Sequence, residues 1–313
     1  MSKPGLNNPA SNKPAFEDGH FYSPIVSQRE VAADKTRIWQ KRARLPAIDL
    51  NPPLHRELLH HRFPALVDGF DYPTTGVDDS ELNRFYEDNG QFENLDPRVL
   101  FCMMRMLRPK RIVEVGSGYS TLLMMDVNER FLGSEVHITS IEPYPRPFLP
   151  IAEVNGRIRL LRHRAQDVDM PIFDQLREGD ILFIDSSHVS KTGSDVNHLF
   201  LDVLPRLHHG VYVHIHDIFL PWEYPEEWVI KEGRSWNEQY LLNAFLQFNK
   251  EFRVIFGACY ASRQFPDAVK KLTGIRHPGG GSFWMRRRRP VGALAPTVRR
   301  VLADFRKQGY WRP

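Results

Sequence analysis

Two short polar clusters close apolar runs in this sequence, and both carry residue types that hold metal ions or move protons. One is IDSSH, Ile184 to His188: Asp185 can ligate a cation, and His188, three residues on, is a base whose unperturbed pKa lies near neutrality. The other is VHIHDIF, Val213 to Phe219, which offers His214, His216 and Asp217. Alternate residues of a strand face the same way, so His214 and His216 could share one ion, as the first ligands of many zinc hydrolases do. The H-x-H-x-D spacing of such hydrolases is broken here, because Asp217 directly follows His216. A satisfied core histidine is the simpler account of His214. For Asp185 and His188 the plain alternative is a hydrogen-bonded pair that orders a turn. Lys191 is a spare base, although with Asp195 and Asn197 it also reads as part of a helix cap.

A binding pattern lies upstream of both clusters. The run VEVGSGYST contains Glu114, Gly116, Ser117, Gly118, Ser120 and Thr121. Its glycines permit a tight turn and close approach of a ligand to the backbone, and a following helix offers its positive end to an anionic group. A bare G-x-G is a weak signal, and dinucleotide binding is its obvious competitor. Two residues argue against a dinucleotide: Thr121 stands where a third glycine would be, and Glu114 would repel a pyrophosphate. A ligand carrying an ammonium group and a positive sulfur would instead welcome that carboxylate. Farther on, Glu142 in ITSIEPYP is placed to take the two hydroxyls of a ribose, and Gln166 in RAQDVD to meet an adenine edge. Together these residues describe a nucleoside without phosphate.

These residues need a scaffold, and the chain spells one out. Short apolar runs at 111–115, 137–141, 158–161, 181–184 and 211–215 are separated by segments long enough for crossover helices, which predicts a parallel sheet with helices on both faces. Two more runs, 252–256 and 282–286, extend the prediction to seven strands in an open α/β sheet. Before the first strand, Asp96 reads as a helix cap and Pro97 as the first turn, with Leu100, Met103, Met104 and Leu107 on one face. In open sheets of this kind ligands bind at the carboxyl ends of the strands, where every polar cluster named above falls.

The runs VEVGSGYST, IEPYP, AQD, GDILFIDSSH and VHIHD together resemble a class I S-adenosylmethionine-dependent methyltransferase, of the small-molecule group that includes catechol-type and macrolide-sugar O-methyltransferases. The resemblance covers roughly Asn94 to Arg286. It implies a Rossmann-like, mostly parallel seven-stranded sheet, with S-adenosyl-L-methionine held by Glu114, Gly116, Ser117, Gly118, Ser120, Glu142 and Gln166. It also implies methyl transfer to a small-molecule hydroxyl. Metal-dependent members bind a divalent cation, magnesium, manganese or a similar ion, through an aspartate after the fourth strand and an acidic pair after the fifth. Asp185, His216 and Asp217 match that scheme, with Asp185 and His188 as the catalytic pair and His188 as base. His216 departs from it, standing where an acid is usual, and an imidazole suits manganese, iron or zinc better than magnesium.

The remaining segments frame this domain. Residues 1–20 are rich in Asn, Pro, Ser and Lys and are expected to be disordered; 21–93 read as an N-terminal cap, 94–287 as the methyltransferase-like domain with an insertion at 258–281, and 288–313 as a basic amphipathic tail. His55, His60 and His61 in the cap read as surface histidines on a helix. Phe219, Trp222, Tyr224, Trp228, Trp236 and Tyr240 after the fifth predicted strand form either an apolar acceptor pocket or a packed lid. The tail is expected to pack on the domain or on a partner subunit, so a homo-oligomer is one expectation, and membrane-surface contact is the lesser alternative.

With 313 residues, 42% of them hydrophobic, the chain can bury a sizeable core. The net charge of +4 is local: residues 287–313 hold eight Lys/Arg and one acid, which leaves 42 − 8 = 34 bases against 38 − 1 = 37 acids elsewhere. A slightly acidic body argues against a nucleic-acid partner. Two cysteines are too few for a disulfide framework and no apolar run is long enough to span a membrane, so the expected location is cytoplasmic. Beside the O-methyltransferase stand two other readings, a metallohydrolase built on HIHD and a non-catalytic S-adenosylmethionine-binding protein.

Overall fold

In the computed structural model, which describes residues 14–40, 45–275 and 278–288, the strands fall where the apolar runs place them. They are β1 (Arg111–Val115), β2 (His137–Ile141), β3 (Arg159–Leu161), β4 (Ile181–Ile184), β5 (Tyr212–Ile215), β6 (Phe252–Gly257) and β7 (Phe283–Arg287). They form one Rossmann-like sheet in the order β3-β2-β1-β4-β5-β7-β6. The first five run parallel to one another, and β7 runs antiparallel to both β5 and β6.

The continuous apolar runs reflect burial on both faces of the sheet. Ile112, Ile181 and Phe183 face one buried cluster, whereas Val113, Leu182 and Ile184, one residue along, face the other. Helices Leu95–Leu107 and Tyr119–Phe131 pack on the first side. Leu58, Leu59, Phe63, Phe85 and Phe92 of the N-terminal region join that same cluster, so the expected cap contributes to the main core. The insertion at 258–281 folds as two helices, Ala258–Gln264 and Pro266–Thr273, which bury Ala261 and Val269 there as well. Among the described residues no helix is long and apolar enough to cross a membrane.

Two local expectations need correction. Asp96 does not cap its helix; it lies inside the first turn, and its carboxylate accepts from the amides of Gly281 (2.8 Å) and Ser282 (2.9 Å), fixing the entry to β7. His55 is not on the surface. Its Nδ1 lies 3.1 Å from the Asn51 carbonyl, its Nε2 accepts from the Gly257 amide at 2.8 Å, and burial lowers its pKa to about 4. His60 and His61 are exposed, as expected. Residues 1–13 of the expected disordered segment, and the basic tail from 289 onward, lie outside the described residues.

Candidate active site

Strand order reverses between β1 and β4, and a cleft opens at their carboxyl ends. Its main part, about 570 Å³, is lined by Gly116, Glu142, Gln166, Asp185 and the loop at 191–195. A recess of about 240 Å³ shares Gly116, Glu142 and Asp185 with it and adds Ser117, Gly118 and Ser120. The loop after β1 must turn tightly here. Gly116 has φ +77°, and a Cβ at that position would overlap the Asp185 carbonyl oxygen, so only glycine fits. Gly118 has open space around it and begins helix Tyr119–Phe131.

Glu142 ties this loop to the next strand end. One carboxylate oxygen accepts from the Ser117 amide at 3.2 Å and the other from the Tyr144 amide at 2.8 Å. Gln166 donates from Nε2 to the Gly193 carbonyl at 3.0 Å, while its Oε1 is shielded from solvent and has no hydrogen-bond partner among the described residues. An acceptor left in that state inside a cleft fits a ligand donor such as an exocyclic amine.

Glu114 does not belong to the lining of the cleft. It is fully buried beneath the loop, where its carboxylate accepts from the hydroxyls of Ser120 (2.7 Å), Thr121 (2.6 Å) and Ser140 (3.1 Å). Ser140 is its register partner on β2, so both side chains leave the sheet on the same face. Burial pushes the Glu114 pKa up to about 7 against the pull of those hydroxyls. The expectation that it meets a ligand's ammonium group is therefore corrected: it secures the glycine loop from behind. Ser120 touches the recess as a residue, but its hydroxyl is committed to Glu114.

The ends of β4 and β5 bring the second set of residues together. His188 and Asp217 both adopt left-handed backbone conformations, φ +59° and +57°, which turn the chain abruptly out of strand geometry. A Cβ on Gly281 would come within 2.8 Å of the Asp217 Cα, so that glycine lets the approach to β7 pass close behind the turn. His188 is buried, with Nδ1 2.9 Å from Glu238 Oε2 and Nε2 3.3 Å from Asp185 Oδ1 and 3.6 Å from Asp217 Oδ2. Glu238 is itself fully buried at the start of helix Glu238–Leu246, and its other oxygen accepts from Ser186 Oγ at 2.9 Å. The Trp236 ring covers the imidazole at 4.2 Å.

Burial alone would lower the His188 pKa, but the carboxylates of Asp185 and Glu238 outweigh it and hold the pKa well above the usual value. Asp185, a third of whose side chain remains exposed, is lowered by His216 and His188 against its partial desolvation. Asp217 is raised by burial. One donor atom each from Asp185, His188 and Asp217 lies within 4.8 Å of the others. The expected metal set had His216 in place of His188. In the structure His216 is buried behind Asp217, its Nε2 3.7 Å from Asp217 Oδ1 and its ring against Phe92.

His214 is a core residue, which corrects the hydrolase reading. It sits in one register row between Phe183 on β4 and Trp284 on β7, stacked on Phe183 at 3.8 Å, with Nε2 3.0 Å from Ser282 Oγ. Burial lowers its pKa well below the usual value. It cannot turn toward an ion that also meets Asp217. Nor do Lys191 and Asn197 cap the helix after β4: Ser194 does, and Asp195 instead accepts from the Ser187 amide at 2.8 Å. Of the aromatic rim, Trp222 and Tyr224 are buried as a packed lid, while Trp228 packs against Phe219 and Trp236. Nothing in the sequence marks Glu238, because an acid in the first turn of a helix is ordinarily explained by the helix dipole.

Residues 113–218, from the middle of β1 to just past Asp217, match the family model of a methyltransferase domain. The chain belongs to the S-adenosylmethionine-dependent methyltransferases. An uncharacterized protein of Archaeoglobus fulgidus is 39% identical to this methyltransferase over 171 residues, which are 53% of this chain and 76% of that protein. Among solved structures, a methyltransferase from Geobacter sulfurreducens aligns at 15% identity and a TM-score of 0.35, over 61% of this chain and 78% of its own. The 1,6-didemethyltoxoflavin-N1-methyltransferase of Burkholderia thailandensis, solved with bound 1,6-didemethyltoxoflavin and S-adenosylhomocysteine, aligns at 13% identity and a TM-score of 0.35, over 62% of this chain and 80% of its own. Likenesses at that level do not bear on which residues of this methyltransferase act.

Proposed function

We propose that this methyltransferase transfers the methyl group of S-adenosylmethionine to a hydroxyl oxygen of a small molecule, with His188 as the base. The observation that carries the reading is the placement of His188: enclosed, anchored through Nδ1 to the buried Glu238, and presenting Nε2 beside Asp185, which lines both parts of the cleft. Glu142 would hold the ribose hydroxyls, Gln166 the adenine through its unpartnered Oε1, and Gly116, Ser117, Gly118 and Ser120 the methionine portion.

In the proposed reaction His188 Nε2 takes the proton of the acceptor hydroxyl as the oxygen attacks the methyl carbon. The carbon–sulfur bond breaks with its electron pair returning to sulfur, and S-adenosylhomocysteine leaves. Glu238 holds the imidazole in one orientation and stabilises the imidazolium that forms, which is the role of a carboxylate behind a catalytic histidine. Because the carboxylates raise the His188 pKa, its neutral form grows as pH passes through that raised pKa, and turnover is expected to rise with it.

Asp185, Asp217 and His188 also fit a divalent cation. The donor set is two carboxylates and an imidazole, and a carboxylate fixing the far nitrogen of the ring is the support metal-bound histidines ordinarily have. Such a cation would lower the pKa of a bound hydroxyl. It would use the same Nε2 lone pair that takes the proton, so His188 is either ligand or base.

Calorimetric titration with S-adenosylmethionine, S-adenosylhomocysteine and NAD tests the cofactor reading; a panel of hydroxylated acceptors, followed by product mass, tests the transfer. The expected result is binding of the two nucleosides and addition of one methyl group at oxygen. Binding of NAD alone, or methylation at nitrogen only, overturns the proposal. Full activity after chelation is expected if His188 acts as a base without a cation, whereas loss with recovery in manganese would mean that a cation takes part.

A further inference from the structure

We propose that a second cleft, at the opposite end of the sheet from the cofactor site, binds a phosphate-bearing anion. The cleft, about 590 Å³, is lined by Arg253, Arg286, Arg287 and Arg288 with two acids, Asp49 and Glu178, a formal balance of 4 − 2 = +2. It lies where β5 begins and the antiparallel β7 ends, whereas the cofactor cleft lies at the carboxyl ends of β1, β2 and β4.

The arrangement of the arginines is what calls for an anion. Tyr212, Arg286 and Arg253 are register partners across β5, β7 and β6, so their side chains leave the sheet in one row on one face. Like charges placed directly opposite on neighbouring strands repel. Arg286 has a counter-charge, with Nη2 2.8 Å from Glu178 Oε1 and its guanidinium 5.0 Å above the Tyr212 ring. Among the described residues Arg253 hydrogen-bonds a neutral partner, Asn51 Oδ1 at 3.3 Å. The next residue after β7, Arg288, is exposed, and its backbone amide donates to the Glu251 carbonyl, which fixes the main chain beside the row. Arg287 turns away to the carbonyls of Pro205 and Leu207.

Two guanidinium forks at a concave site match the oxygens of a phosphate group, which accepts paired hydrogen bonds from arginine. A small multivalent phosphate suits the site better than a nucleic acid. The body of the chain outside 287–313 carries 34 bases against 37 acids, a balance that does not favour a polynucleotide.

Pyrophosphate titrated calorimetrically into the full chain at low ionic strength tests the proposal, with thermal melting as the check on folding. The expected result is a saturable site whose affinity falls by about tenfold or more in Arg253→Gln and in Arg288→Gln. Arg288 is exposed and beyond the last strand, so its variant remains decisive if Arg253→Gln does not fold. Absence of binding to the wild type, or the same affinity in the folded variants, overturns it. Because the readout is pyrophosphate and not the methyl donor, the result stands whether or not the His188 assignment holds.

Discussion

Replacing Glu142 separates a ribose contact from a purely structural role. Its two carboxylate oxygens already accept from the amides of Ser117 and Tyr144, but each can accept a second hydrogen bond, and the residue lines the cleft. Two ribose hydroxyls bound there would form two charge-assisted hydrogen bonds, worth about 1.5–3 kcal/mol each. Glu142 is only partly buried, so competing water reduces the pair to about 2–4 kcal/mol, or roughly 30-fold to nearly 1,000-fold in Kd. Glu142→Ala is expected to weaken S-adenosylhomocysteine by that factor, and Glu142→Gln, which keeps one acceptor oxygen, by less. Calorimetry on variants whose circular dichroism matches the wild type measures both.

Because the same carboxylate also steadies the glycine loop, 5′-methylthioadenosine is the useful second ligand. It keeps the ribose and lacks the amino-acid portion, so a ribose contact predicts the same loss for both ligands. A loss confined to S-adenosylhomocysteine would mean that Glu142 acts through the loop amides. An unchanged Kd for either ligand in a folded alanine variant would refute the assignment outright.

Two further outcomes are expected. Glu238→Gln, which removes the charge behind His188 and keeps the shape, should lower turnover by about 10- to 100-fold with cofactor affinity unchanged, in line with the loss of one charge-assisted bond; equal turnover would remove Glu238 from the mechanism. His55 is held neutral in the fold, its pKa lowered from 6.5 to about 4, so its contribution is fully present above pH 6.5 and is lost as pH falls toward 4, up to about 3 kcal/mol. Urea denaturation between pH 7 and 4 should therefore show a shallower fall in stability for His55→Gln than for the wild type, and parallel slopes would contradict it.

The sheet was legible because strands buried on both faces need unbroken apolar runs, and all seven occur within two residues of where those runs lie. That Glu142, Gln166 and Asp185 come together at one cleft was legible for a related reason, since each follows an apolar strand and such ends converge. Direction was harder to read. Glu114 also ends a strand, but whether it faced the cleft or the underside of the loop depended on where the hydroxyls of Ser120, Thr121 and Ser140 came to lie. His55 sits on a helix whose sequence looks two-sided, and its burial follows from β6 closing over it through Gly257. Glu238 lies 50 residues beyond His188, and no local pattern marks a partnership made only by the tertiary fold.

The cluster at the strand ends also explains why both chemical readings of His188 converge on the same residues. Glu238 is fully enclosed and Asp217 mostly so, and burial disfavours a carboxylate's charge unless a counter-charge is near. Three carboxylates, Asp185, Asp217 and Glu238, face the one imidazole of His188, with His216 behind Asp217. A proton on His188 supplies one compensating charge and so is held tightly, which is the physical origin of its raised pKa. A divalent cation would supply two and displace that proton. A proton and such a cation would therefore compete for the one nitrogen. The left-handed turns at His188 and Asp217 are the backbone condition for that site, because without them the two side chains would continue along their separate loops and the carboxylates would not meet the ring.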